Sequence, residues 1–288
     1  MNALYDLVQG TSDWHAHRAQ YRNASETAAV IGVSPWQTPY ELWLVKTGRS
    51  TTKETEATRY GIATEPAARA AFEQESGLVM QPLVMVDGDY SASLDGITLS
   101  GDKLLEIKCP YRGKTSELWQ MVKDHVVPQH YMLQVQHQLM VSGAKLAYLW
   151  VYVGQQGVGI SIKPNLETFA QIKTAWDAFQ PYIDHDSPPS LTEQDTVTRH
   201  DVEWQQAAET YLRCKATCDV AEVKAQEAKA HLIFLTTHNR ESGYGVSVTK
   251  YWKQGNVDYK KVPQLQNVNL ELYRGKMREE VRVIMIHV

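Results

Sequence analysis

The chain has 288 residues, is 43% hydrophobic and 22% charged, and carries a formal net charge of −4. At roughly 150 residues per domain this is one large domain or two ordinary ones, and the average composition excludes whole-chain disorder, collagen and coiled coil. No apolar run reaches the roughly 18 residues of a membrane span, the first residues lack the basic start and apolar core of a secretory leader, and three cysteines are too few for a disulfide framework, so a reducing cytosol is expected.

The pattern predicts a helix from Ser12, a break near Asn23, and a second helix from Ala24 that Ser25 or Asn23 caps and Gly32 ends. A short amphipathic helix is expected over 39–47, a loop over 49–57, and a helix over 59–76 with a small-residue face. Then the period changes from helical to alternating. Residues 81–87, 91–98 and 103–109 read as strands separated by Asp87-Gly88-Asp89 and Ser100-Gly101 turns. Helices over 115–124 and 127–142 follow, the second opening on Pro128. A hairpin is expected over 146–153 and 158–163, its first strand apolar enough to be buried on both faces. A helix over 165–180 closes this half. The predicted division is an N-terminal domain over 1–183, a Pro- and Asp-rich linker over 184–199, and a C-terminal extension over 200–288. The extension reads as one or two helices over 200–238, a hairpin over 243–262 turning at Gln254-Gly255-Asn256, and a strand over 281–288.

Charge is unevenly spread. Residues 250–288 hold eight Lys/Arg against four acids, and residues 103–123 hold five Lys/Arg against two Glu. A local basic groove for a polyanion is thus compatible with an acidic chain, because the local field does the steering. The basic C-terminal end is read either as a nonspecific phosphate-backbone contact or as a self-packed appendage supporting oligomer contacts.

One stretch carries chemistry: Leu94-Asp95-Gly96, then Glu106-Ile107-Lys108. On a strand Glu106 and Lys108 share a face and Ile107 takes the other. Asp95 lies on the preceding strand, so two carboxylates and an ammonium converge at one sheet end. Metal-assisted phosphodiester hydrolysis needs such a set: carboxylates to hold Mg²⁺, and a lysine to orient or deprotonate the attacking water. A Glu-x-Lys pair on an exposed strand is also an ordinary solvated pair, so the motif does not decide alone. Cys109-Pro110 ends the strand beside it. Glu65 sits between Gly61 and Pro66 upstream, and Tyr131, Gln134, Gln136 and Gln138 lie on the helix downstream.

Together these motifs resemble the lambda-exonuclease family of phage recombination nucleases, the YqaJ-type alkaline exonucleases of the PD-(D/E)XK superfamily. The resemblance runs from Trp14 to Trp150. It rests on Trp14-His-Ala-His-Arg18, Asn23-Ala24-Ser25-Glu26, Gly61-Ile-Ala-Thr-Glu65-Pro66, Leu94-Asp95-Gly96, Glu106-Ile107-Lys108-Cys109-Pro110 and Tyr131-Met-Leu-Gln134-Val-Gln136. It departs at Leu94, where the family commonly has Pro, and at Asn23, where it often has Thr.

The resemblance implies a restriction-endonuclease-like α/β core, a mixed sheet of about five strands flanked by helices. It implies Asp95, Glu106 and the Ile107 carbonyl as metal ligands, and Glu65 at a second metal or the water. Lys108 would act on the water, Tyr131 and Gln134 would orient the site, and Arg18 and Ser25 would bind a 5′-phosphate. The activity implied is a Mg²⁺-dependent 5′-to-3′ exonuclease on double-stranded DNA, with Mn²⁺ substituting and Ca²⁺ not supporting cleavage. It would leave 3′ tails for a single-strand annealing partner, as a homotrimer in the cytoplasm of a bacterial host, phage- or prophage-encoded. An end- or structure-specific endonuclease with the same metal site, and a non-catalytic DNA-binding accessory, are the competing readings.

Other candidates weigh less. Ten histidines show no zinc-ligand spacing. Cys214 and Cys218, one helical turn apart, are expected to pack, and Cys109 to be a buried thiol. Trp36, Trp43 and Trp119 are core residues unless one stacks on a base.

Overall fold

The computed structural model describes residues 3–5, 7, 10–51, 55–251 and 268. The chain divides into two compact units, residues 1–196 and 197–288.

In the first unit, β1 (Ala3–Tyr5) is followed by α1 (Ser12–Gln20), the two-residue β2 (Arg22–Asn23), a 3-10 turn over Ala24–Glu26 and α2 (Thr27–Ile31). The helix expected from Ala24 therefore begins later, and neither Asn23 nor Ser25 caps it. The Asn23 amide is spent on the Arg18 and Tyr21 carbonyls and on Glu26, and the Ser25 hydroxyl accepts from Arg18. Next come α3 (Pro39–Lys46), opened by a Thr38/Glu41 capping box, and α4 (Glu56–Ser76), capped by Thr55 and ended by Gly77 in the left-handed region. Strands β3 (Gln81–Asp87), β4 (Tyr90–Ile97) and β5 (Lys103–Lys108) follow, then α5 (Glu117–Lys123) and α6 (Gln129–Ser142). The hairpin of β6 (Leu146–Val153) and β7 (Gln156–Ile162) and the helix α7 (Leu166–Asp184) complete the unit.

The strands form one mixed sheet ordered β1-β3-β4-β5-β6-β7, with β2 parallel to β4. The two strands beyond the expected five, β1 and β2, are too short to show alternation. Strands β5 and β6 run parallel, as a helical crossover requires, and the other pairings along the sheet are antiparallel. On one face of β5, Leu104 packs with Val135 and Leu139 of α6; on the other, Leu105 and Ile107 pack with Ala68 and Phe72 of α4 and with Trp150. The strand thus separates two apolar layers, and Glu106 and Lys108 lie towards its C-terminal end.

A bulge in β4 sets the geometry around Asp95. Gln81 faces Ile97 while Leu83 faces Leu94, so three steps on β4 oppose two on β3. The extra residue falls at Asp95-Gly96. Ala92, Leu94 and Ile97 keep to one apolar cluster with Val141 of α6, and the bulge re-aims Asp95 without disturbing that packing. A glycine is required beside it, since a Cβ on Gly96 would come within 2.7 Å of the Met80 Cβ.

The second unit holds α8 (Val202–Leu235), a single helix capped by Asp201 with no buried residue, and a hairpin of β8 (Arg240–Gly243) and β9 (Val246–Thr249). Its turn is at Tyr244-Gly245, both with positive φ, the geometry that matches strand twist in a two-residue loop. The turn expected at 254–256 and the strand at 281–288 lie outside the described residues. Cys214 and Cys218 are exposed rather than packed, because α8 buries no side chain. No helix of the described residues is long and apolar enough to cross a membrane.

Candidate active site

The three motif carboxylates meet where the β4–β5 pairing stops, next to the Gly96–Leu105 pair. Glu106, 2% exposed, is held on both oxygens. Its Oε1 accepts from Gln134 Nε2 at 2.7 Å and pairs with Lys108 Nζ at 2.5 Å; its Oε2 accepts from Gln138 Nε2 at 2.5 Å. Gln134 and Gln138 are one turn apart on α6, so one helix face presents both amides. Gln138 also donates to the Ser93 carbonyl, which ties α6 to β4. Gln136 points away, to Lys163 and Asn165. Asp95 Oδ2 accepts the Ile107 N–H at 2.7 Å across the bulge. Glu65, on α4, pairs with Arg69 one turn later, and Arg69 Nε donates to the Asp95 carbonyl at 2.6 Å.

The electrostatics follow from burial and crowding. Burial, then repulsion from Glu106 and Glu65, pushes the Asp95 carboxyl well above the usual range. Burial also raises Glu65, against the pull of Arg69, with Glu106 adding repulsion. The Cys109 thiol, half-buried beside the site rather than fully buried, is pushed up to about 11 by burial and by Glu65 and Asp95. Lys108 is the opposite case. Burial works against its charge, but Glu106, Tyr131 and Asp95 outweigh it and hold the ammonium protonated well above its ordinary range. Its Nζ lies 5.0 Å over the Tyr131 ring. These neighbours favour the ammonium form of Lys108, which pairs with Glu106.

The donor set suits a hard divalent cation: carboxylate oxygens from Asp95, Glu106 and Glu65, mutually repelling. Among the described residues, no three His, Cys, Asp or Glu side chains form a ready-made cage. The carboxylates are instead satisfied by amides, the Ile107 N–H, Lys108 and Arg69. The residues fit the ion in chemistry, with Asp95 and Glu106 as the buried pair that would hold it and Glu65 more peripheral.

A second cluster forms around Arg18. Its guanidinium donates to Ser25 Oγ at 3.1 Å and Glu26 Oε1 at 2.9 Å, and stacks on Trp14 at 4.6 Å. Trp14 Nε1 donates to Ser93 Oγ, and His17 bonds Ser91 Oγ. Ser91 and Ser93 lie on one face of β4, so α1 docks along the strand that carries Asp95. The phosphate candidates and the carboxylates are thereby joined through Ser93. Trp43 and Trp119 are buried, while Trp36 is 67% exposed and lies against His130 and Tyr131.

Residues 13–145 match the YqaJ-like viral recombinase domain. All the site residues, from Arg18 to Gln138, lie in this YqaJ-like segment, and the resemblance read from the motifs holds. YqaJ itself, an uncharacterised protein of Bacillus subtilis (strain 168), is 30% identical over 151 residues, 49% of this chain and 46% of that protein. The chain thus spans about half the length of this curated relative. Two crystal structures of LHK-Exo, an alkaline exonuclease from Laribacter hongkongensis, one in complex with dAMP, superpose with TM-scores of 0.54 and 0.53 at 24% identity. Each covers 62% of this chain and 94% of that protein. At that identity the likeness is one of fold, and the fold of the YqaJ-like segment is restriction-endonuclease-like.

Sequence reasoning did not assign Gln138, Arg69, Trp14 or Ser93 a role at the site. Gln138, Arg69 and Trp14 were legible in principle as i,i+4 neighbours of Gln134, Glu65 and Arg18; Ser93 meets Trp14 only in the folded chain.

Proposed function

We propose that this protein is a Mg²⁺-dependent deoxyribonuclease that degrades the 5′-ended strand of double-stranded DNA and leaves a 3′ single-stranded tail for recombination. The observation that carries the reading is the convergence of Asp95, Glu106 and Lys108 at one sheet end, with Glu65 beside them. Asp95, Glu106 and the Ile107 carbonyl would hold the metal, with Glu65 assisting. When bound, the ion polarises the phosphate and lowers the pKa of the attacking water. Lys108, kept charged, orients that water or the phosphate oxygens. Tyr131 sets the lysine's position from below, and Gln134 and Gln138 fix the Glu106 carboxylate.

Arg18 and Ser25 offer a planar donor fork and a hydroxyl to a terminal 5′-phosphate, which would select ends over interior bonds. A homotrimer enclosing the duplex and an annealing protein that receives the tail complete the proposal. Three substrates test it: linear duplex, the same duplex as a covalently closed circle, and linear duplex with Asp95→Ala or Glu106→Ala protein. The reading expects cleavage of the first alone, with the variants still binding DNA in Ca²⁺. Cleavage of the closed circle would make the protein an endonuclease; full turnover by either variant would remove the metal assignment.

A further inference from the structure

The Arg18 cluster poses an electrostatic problem. An anion arriving at Arg18 meets Glu26, whose Oε1 already accepts from the same guanidinium. A carboxylate that neutralises Arg18 competes with a phosphate for it and repels it.

The structure places a second cation behind that carboxylate. Lys46, the last residue of α3, has a side chain only 4% exposed. Its ammonium bonds Glu26 Oε2 at 2.7 Å and the Arg18 and Tyr21 carbonyls at 2.8 Å each. Asn23 donates to the same Glu26 oxygen and the same two carbonyls. Burying an ammonium is costly unless it is paired, and a lysine needed only to join loops could be replaced by a neutral donor such as Asn23, already there. What Lys46 adds is charge. With it, the buried set of Arg18, Glu26 and Lys46 is net positive before any ligand binds; without it, Glu26 has Arg18 as its remaining cation.

We infer that Lys46 is a positioning residue for end recognition, the counter-charge that occupies Glu26 so that Arg18 is available to a terminal phosphate. This rests on Arg18 and Ser25 binding that phosphate. Lys46 does not itself touch the phosphate; it acts through Glu26.

The readout is the ratio of initial cleavage rates, at subsaturating DNA and in Mg²⁺, on duplexes ending in 5′-phosphate or 5′-hydroxyl. For wild type the ratio is expected to be at least roughly tenfold, the effect of one charge-assisted hydrogen bond. Lys46→Met should bring it close to parity, chiefly through KM. Lys46→Met combined with Glu26→Gln should restore it, because the competing charge is gone. Glu26→Gln alone should keep or raise the ratio, and decides the matter if Lys46→Met does not fold. A lysine that merely joins loops would slow both substrates alike and leave the ratio intact. An unchanged ratio in Lys46→Met, failure of the double variant to recover, or a fall in Glu26→Gln overturns the inference while the phosphate site stands. A wild-type ratio near one, with both ends cut, overturns the phosphate site itself.

Discussion

Replacing Gln138 by Leu tests whether Glu106 is held as a charge. Glu106 is buried, and its Oε2 has Gln138 Nε2 as its hydrogen-bond donor at 2.5 Å. Leu fills similar space but cannot donate. A hydrogen bond to a charged group contributes about 1.5–3 kcal/mol, against about 0.5–1.5 kcal/mol for a neutral one. The buried Gln138 Oε1 has no hydrogen-bond partner, so its removal offsets part of the loss. Gln138→Leu is therefore expected to cost about 1.5–3 kcal/mol in the native protein and about 1 kcal/mol less in a Glu106→Gln background, where the acceptor is neutral. Urea unfolding in EDTA, followed by tryptophan fluorescence, measures both, with unchanged m-values establishing that stability alone has moved. Equal costs in the two backgrounds would mean that the amide does not stabilise a carboxylate, and the account of Glu106 would be wrong.

Asp95→Asn should stabilise the metal-free protein at neutral pH. The unfolded Asp ionises at about 3.9 and the buried one well above its ordinary value, so stability conferred by Asp95 falls as pH rises through that window. Melting temperatures in EDTA at pH 5 and pH 8 should converge in the variant relative to wild type. His137 has the opposite sense. Burial pushes it down to about 3, so the unfolded chain takes up a proton that the native one refuses as pH drops below about 6.5. Stability should fall across that range and do so less steeply in His137→Gln. Gly157→Ala should cost about 1–3 kcal/mol or more, as overpacking does, because its Cβ would sit 1.8 Å from the Trp150 ring; chemical denaturation would show it, and a neutral result would mean that Trp150 is not fixed. Arg18→Ala should remove most of a roughly ten- to hundredfold preference for 5′-phosphorylated ends, measured as initiation rate on duplexes differing only at that end.

The sequence alone determined the order of elements from α3 to α8 and the alternation that placed Glu106 and Lys108 on one face and Ile107 on the other. Both are local: capping residues, turn glycines and period-two patterning act within a few residues, and strands β3 to β7 and helices α3 to α8 begin within about three residues of where that reasoning put them. The tertiary structure alone decided the rest. Strands β1 and β2 form because a partner edge exists, and their own residues do not announce it. The bulge that turns Asp95 towards Ile107 arises from a mismatch between two strands and is visible in neither. The pKa of Lys108 is raised by Tyr131 and Asp95 as well as by Glu106, and only packing brings those two to it. Lys46 is 20 residues from Glu26 in the chain and 2.7 Å from it in space. Side-chain pairs of that kind are set by how helices dock, and docking is a property of the assembled core.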